Sequence, residues 1–223
     1  MILGWRDIPF VDLLTARIGL PVGFGHDVQV AAHAEGKRGA AQGRRHYLYL
    51  SLGTGVGSAM IFDGRMYLGA TGLGGEMAHV VVEPEGPPCH CGKFDCLEMV
   101  ASAEAVGRRY AELHPGDGSF SAHDALTRML AGDTAARGVW ARAVAALGRA
   151  VATYVEILEP EVVVVGGGMS AASGALFDPL SALVHAGVSR PDPVPVVPAG
   201  LGPLAGLHGA ALRVWERADA GDA

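Results

Sequence analysis

Residues 79–98 read HVVVEPEGPPCHCGKFDCLE. The stretch holds all three cysteines of the 223-residue chain and two of its nine histidines. Cys89, Cys91 and Cys96 are tightly spaced, and His79 sits a short way upstream. Three thiolates and one imidazole complete a tetrahedral shell with no open position, which is the structural type of zinc site. Gly92 lets the loop turn sharply around the metal. His90 is the rival ligand, but it lies between two cysteines, so its ring should point away from the site they share. Single buried cysteines are common; three gathered here with none elsewhere point to a metal. Their odd number, without an export signal, places the chain in a reducing cytoplasm.

The metal loop carries acids at both ends. Glu76 lies in GLGGEMAH, three residues before His79, and Glu98 follows Cys96 by two. A zinc that fixes His79 and Cys96 therefore brings Glu76 and Glu98 close together. Upstream, Asp27 follows an apolar run in a glycine-flanked bend and starts an alanine-rich helix, where it can cap free amide groups. Two carboxylates near an aspartate suit a polyhydroxylated ligand, since each accepts hydrogen bonds from neighbouring hydroxyls. Taken singly, each acid reads more readily as a capping or solvated residue, and their tie to one metal loop favours the functional reading.

Two glycine motifs extend the pattern. Gly53-Thr54-Gly55-Val56-Gly57 follows a β-rich run, and glycines at a strand end expose amides that hold phosphate oxygens. A tight hairpin turn reads the same way, and the GxxxxGK[ST] pattern is lacking. Gly166-Gly167-Gly168 follows VVVV, where a planar ligand could approach the backbone or the chain could simply turn.

Along the chain, LPVGF up to Gly25 reads as strand, and VQVAAHAEGKRGAA as helix. HYLYLSLG alternates and predicts a strand. AMIF, the Asp63-Gly64 turn and RMYLG predict a hairpin, and HVVVEP a third strand of the same sheet. Helical periodicity then takes over. Ser102 opens AEAVGRRYAEL as a capped helix, SAHDALTRMLAG continues it, and a long helix places Val139, Val144, Leu147, Val151, Val155 and Leu158 on one face. EVVVV is wholly apolar and predicts a central strand covered on both sides. A helix, a PVPVV strand and a last helix close the order, with a frayed tail at RADAGDA.

Composition sets the bounds. At 50% hydrophobic and 18% charged, the chain fits one large or two small soluble globular domains. Its 33 glycines cluster beside apolar runs, as tight turns and backbone-lined sites require. Net charge is −6, and the richest basic run, GKRGAAQGRR, is short, so no face for nucleic acid is expected. MILGWRDIPF is not a signal peptide, and VVVVGGGMSAASGALF is interrupted by glycine and serine before a membrane span accumulates.

The GExxH run at 75–79 and CxCGxxxCLE at 89–98, with GTGVG upstream and VVVVGGG downstream, resemble the ROK family (repressors, open reading frames, sugar kinases). The resemblance runs from GWRDIPF to GLHGAAL. It implies an α/β actin-like, ribonuclease-H-like ATPase fold of two lobes. Residues 1–45 would be the remnant of the N-terminal lobe carrying the catalytic Asp, and 46–223 the C-terminal lobe with the zinc loop 79–98. It implies a glucokinase-like reaction that moves the γ-phosphate of Mg-ATP to a hexose or related sugar. Asp27 would be the general base. His26, Asp27, Glu76, His79 and Glu98 would hold the sugar; His79, Cys89, Cys91 and Cys96 would hold structural Zn2+. Gly53, Thr54 and Gly55 would face the phosphates, and Gly167 and Gly168 the adenosine. A homodimer is expected, without nucleic-acid or membrane contacts.

Three departures from the family pattern stand out. His26 occupies a place where an asparagine is usual, and its bulk should alter sugar preference. Asp95 stands where a glycine commonly precedes the last cysteine. The acidic-x-Gly-Gly-Thr phosphate loop of the first lobe does not occur in these 223 residues. The expectation is therefore a truncated member with little or no turnover by itself. The alternative is the sugar-sensing effector domain of a ROK repressor, although no helix-turn-helix motif is present. A third reading, a zinc-stapled remnant that only dimerises, fits poorly with a full set of sugar-facing residues.

Overall fold

The structure is a computed structural model and describes residues 7–84 and 86–219, with the backbone alone for 217–219. Five strands form one sheet: β1 (Tyr47–Leu52), β2 (Val56–Phe62), β3 (Arg65–Met66), β4 (Val162–Gly166) and β5 (Val196–Pro198), in the order β3-β2-β1-β4-β5. The first three run as an antiparallel meander, whereas β4 is parallel to β1 and β5 to β4. Helices cover both faces: α1 (Phe10–Ile18), α2 (Asp27–Arg38), α3 (Leu97–Ala101), α4 (Ala103–Glu112), α5 (Ala122–Leu130), α6 (Thr134–Leu158), α7 (Gly174–Ala186) and α8 (Ala205–Asp219).

Side-chain alternation explains the two layers. On β1, Leu48, Leu50 and Leu52 enter the larger core with Val163 and Val165 of β4, packed by α3 to α7. Tyr47, Tyr49, Val162 and Val164 face the other way, into a smaller core with α2. Because β4 meets helices on both faces, its whole length is buried and it tolerates an uninterrupted valine run. The expected face of α6 is the one that packs: Val139, Val144, Leu147, Val151 and Val155 are buried and Leu158 lies against the core. Asp133 caps its start by accepting from the amides of Ala135 and Ala136. Ser102 caps α4 as expected, accepting from Ala105 N at 3.0 Å.

Helix α7 contains Pro179. Proline has no N–H, so the carbonyl of Ala175, four residues back, loses its helical donor. The buried Trp140 of α6 supplies one instead: its Nε1 donates to Ala175 O at 2.9 Å.

Four local expectations require correction. LPVGF is not a strand; residues 21–26 have no regular structure, and helix α1, which the sequence reading did not anticipate, precedes them. HVVVEP is not a strand either. His79 ends a short 3-10 helix (Met77–His79), and only Val81 bridges, to Cys96. The valines that suggested a strand instead frame the metal loop. RMYLG is a strand only over Arg65–Met66, with Tyr67 N adding one further bond to Met60 O at 2.8 Å. The tail expected at 217–223 is helical to Asp219, and 220–223 lie outside the described residues. Among the described residues, no helix is long and apolar enough to cross a membrane.

Candidate metal centre and substrate site

The metal loop is closed by its own backbone. Leu97 N donates to Val80 O at 2.9 Å and Val82 N to Asp95 O at 3.0 Å, so 80–82 and 95–97 run side by side. Inside that clasp, Cys89 N donates to Lys93 O and Gly92 N to Cys89 O, a tight turn in which Gly92 adopts φ +88. Asp95 has φ +67, a left-handed conformation that glycine adopts freely and aspartate tolerates better than most residues. Its carboxylate oxygen accepts from Gly86 N. The departure from glycine is thus accommodated, and it adds a tie across the loop.

The ligand atoms of His79, Cys89, Cys91 and Cys96 all lie within 4.8 Å of one another. Cys89 Sγ is 3.6 Å from His79 Nδ1, and Cys91 Sγ is 3.6 Å from Cys96 Sγ. A tetrahedral zinc with ordinary bond lengths separates sulfur from sulfur by about 3.8 Å and sulfur from imidazole nitrogen by about 3.6 Å. Two of the pairs therefore stand at zinc-site spacing, and a donor set of three thiols and one imidazole suits zinc. His90 is exposed and outside the cluster. Burial, reinforced by the neighbouring cysteines, pushes the Cys96 thiol up to about 12. The Lys93 amide lowers that of Cys91. A bound cation removes the penalty at Cys96, since coordinated thiols are deprotonated.

Cys96 is the residue before α3, and Glu98 lies in its first turn. Glu98 Oε2 accepts from Val56 N at 3.1 Å, and a Cβ on Gly55 would stand 2.5 Å from the same oxygen. The far end of the metal loop therefore rests on the turn Gly53–Gly55. Ala103 N also donates to Gly53 O, at 2.8 Å. Gly167, at φ +83, packs against the backbone of Leu52 so closely that no side chain fits. Both glycine motifs thus meet where the parallel neighbours β1 and β4 end, with Ser51 in register with Gly166. Ligands of open α/β sheets bind outside such carboxyl ends. Thr54, Gly167 and Gly168 are exposed there.

Glu76 is placed by a residue the sequence reading missed. Ser58, buried on β2, donates through Oγ to Gly75 O and accepts from Met77 N at 2.8 Å. These bonds grip the backbone on both sides of Glu76, which is half-buried, as is His79. With Nδ1 toward the cysteines, His79 keeps Nε2 for another partner. The signal for Ser58 was a lone hydroxyl at an inward position of an apolar strand.

Asp27 stands at the first position of α2, held near the sheet because Val28 packs where Gly57 leaves space. Its side chain is 88% exposed and that of His26 51%, with His26 Nδ1 3.4 Å from Asp27 Oδ1. Asp27 Oδ1 also accepts from Val28 N at 2.8 Å. The cap position of α2 is His26, whose side chain makes no capping bond, and Asp27 is the first helical residue. Among the described residues no hydrogen bond joins Asp27 to Glu76, His79 or Glu98. Glu35, also overlooked, anchors the other end of α2. Fully buried, it accepts from Ala40 N, Gly200 N and Leu201 N. It continues the apolar spacing Val28, Ala31, Ala32, and an acid on such a face was the available sign.

The ROK family's sequence model matches residues 2–217. A glucokinase of Thermotoga maritima is 38% identical over 96% of this chain and 72% of its own length. Among solved structures, a ROK hexokinase from Thermus thermophilus superposes with TM-score 0.86 at 32% identity, over 95% of this chain and 72% of that one. A ROK family glucokinase from Streptomyces griseus, in complex with glucose and AMPPNP, does so with TM-score 0.83 at 30% identity, over 94% and 73%.

Proposed function

The chain belongs to the ROK family, and on that premise we propose that it works as an ATP-dependent hexose kinase of glucokinase type. One observation carries the reading. Glu98, fixed by the metal loop, lies against the glycine turn at the end of β1, so a hydroxyl-reading carboxylate adjoins a phosphate-facing turn.

In this account His26, Asp27, Glu76, His79 and Glu98 hold the sugar. Glu98 keeps Oε1 for a hydroxyl while Oε2 is engaged by the Val56 amide. His79 offers Nε2. Asp27 takes the proton of the attacking hydroxyl. Its exposure suits a base that need only come within hydrogen-bond reach once sugar is bound. Gly53, Thr54 and Gly55 present backbone to the phosphates, and Gly167 and Gly168 to the adenosine. Mg2+ arriving with ATP neutralises charge on the transferring group, and the protein's share is alignment. Zinc on His79, Cys89, Cys91 and Cys96 performs no step and keeps both ends of the loop in place. The lobe boundary near 45/46, a cytoplasmic location and a homodimer belong to the same reading.

Asp27→Asn should lower glucose-dependent ADP formation by about 100-fold or more, the usual contribution of a general base. Glucose binding should stay within a few-fold of the parent. Unchanged turnover removes Asp27 as the base.

A further inference from the structure

We propose that the cleft behind the zinc loop, between α3, α4 and α6, is a binding site for a small phosphomonoester. The cleft measures about 350 Å³, at the small end of the usual range for metabolite pockets. Its floor is apolar, with Val100, Ala105 and Val139 all buried. Among the described residues its rim carries three guanidinium groups, Arg108 and Arg109 from α4 and Arg142 from α6, against one lining carboxylate, Glu112, with Glu83 paired to Arg142. In a chain of net charge −6, this is a local reversal of sign.

The arginines are oriented but not saturated. Arg108 Nη2 donates to Met99 O at 3.0 Å, and Arg109 Nη1 to Glu112 Oε2 at 2.8 Å. Arg142 is gripped by Glu83, to which Nε donates at 2.9 Å. Among the described residues, Arg108 Nη1, Arg109 Nη2 and Arg142 Nη1 have no hydrogen-bond partner. Among the same residues Arg109 keeps its Nε–Nη2 edge free, an edge with which guanidinium binds phosphate through two parallel bonds, and Arg108 and Arg142 each keep Nη1 for a further bond. The apolar floor takes the carbon body, and Glu112 can accept from its hydroxyls.

The remaining wall is Gly86 and Pro87, and Gly86 is held by the Asp95 carboxylate. The wall thus depends on the residue by which this chain departs from its family's usual glycine. None of Asp27, Glu76, His79, Glu98 or the glycine turns lines the cleft. Met99 and Val100 do, and they sit on the same short helix as Glu98, so an occupant touches the element that carries a sugar-facing acid.

Calorimetric titration of the zinc-loaded protein with glucose 6-phosphate, glycerol 3-phosphate and inorganic phosphate tests the proposal. Saturable binding of at least one ester is expected, weakened about tenfold by Arg109→Gln, the loss of one charge-assisted hydrogen bond. Arg109 makes no tie to the zinc loop, so its variant should keep the parent's circular dichroism; Arg142→Gln should weaken binding as well. Glu98→Gln, which weakens sugar binding at the kinase site, should leave the binding of glycerol 3-phosphate unchanged. A tighter glucose 6-phosphate assigns a sugar phosphate, and equal esters assign the phosphomonoester class. The proposal falls if neither ester binds, if Arg109→Gln has no effect, or if Glu98→Gln abolishes the binding of glycerol 3-phosphate. It also falls if inorganic phosphate binds as tightly as the esters, which would mean an adventitious ion only.

Discussion

Replacing Ser58 with alanine should loosen the segment that carries Glu76 while leaving the metal centre intact. The hydroxyl satisfies two backbone groups, Gly75 O and Met77 N. Met77 is fully buried, so its amide finds no water when the hydroxyl is removed. A buried donor left unpaired costs about 1–3 kcal/mol. Gly75 is only half-buried, and its carbonyl can recover part of its loss from solvent. The sum is about 2–4 kcal/mol, which for a domain of this size lowers the melting temperature by roughly 4–16 °C. Differential scanning calorimetry measures that shift, and elemental analysis should find zinc unchanged. Sugar affinity should fall with it, because Glu76 loses the grip on both sides of its backbone. Ser58→Thr, which keeps the hydroxyl, should recover most of both losses. A Ser58→Ala protein that melts within about 1 °C of the parent, with the same glucose affinity, would refute the assigned role.

Other outcomes follow from the core. Trp140→Phe should cost about 1–3 kcal/mol in urea unfolding, because Pro179 cannot restore a donor to Ala175 O; a loss no larger than that of ordinary surface changes would contradict this. At alkaline pH, Tyr49 is held neutral mainly by burial, with its pKa raised from 10.0 to about 12. Burial raises Tyr47 too. The unfolded tyrosines ionise first, so the stability they contribute is intact below pH 10 and declines as pH climbs toward 12, by up to about 3 kcal/mol for Tyr49 alone. Equilibrium unfolding between pH 8 and about 12 reads that decline, and Tyr49→Phe should flatten part of it.

Much of this was legible beforehand, for physical reasons. Three clustered cysteines and a histidine restrict the chain chemically, and the backbone had to bring them together. The β4 valines and the spacing of α6 carry their burial in their periodicity. HVVVEP misled because its β-branched residues have strand propensity while the loop clasp to residues 95–97 dictates their geometry; context outweighed propensity. LPVGF misled for the same reason, an apolar run without a partner strand. Ser58 and Glu35 were hidden because a polar residue on an apolar face reveals its role only when its long-range partners, Gly75 and Gly200, are placed beside it. Asp95 was visible as a departure from family pattern, but its left-handed backbone and its bond to Gly86 were not.

The central claim is that a zinc held by His79, Cys89, Cys91 and Cys96 keeps His79 and Glu98 in position to bind sugar. Glucose should be titrated into the protein before chelator treatment, after its zinc is removed, and again after zinc is restored. Affinity should be at least about tenfold weaker without the metal and recovered with it, in keeping with the strong dependence of such sites on correct positioning. Equal glucose affinity with and without zinc would contradict it.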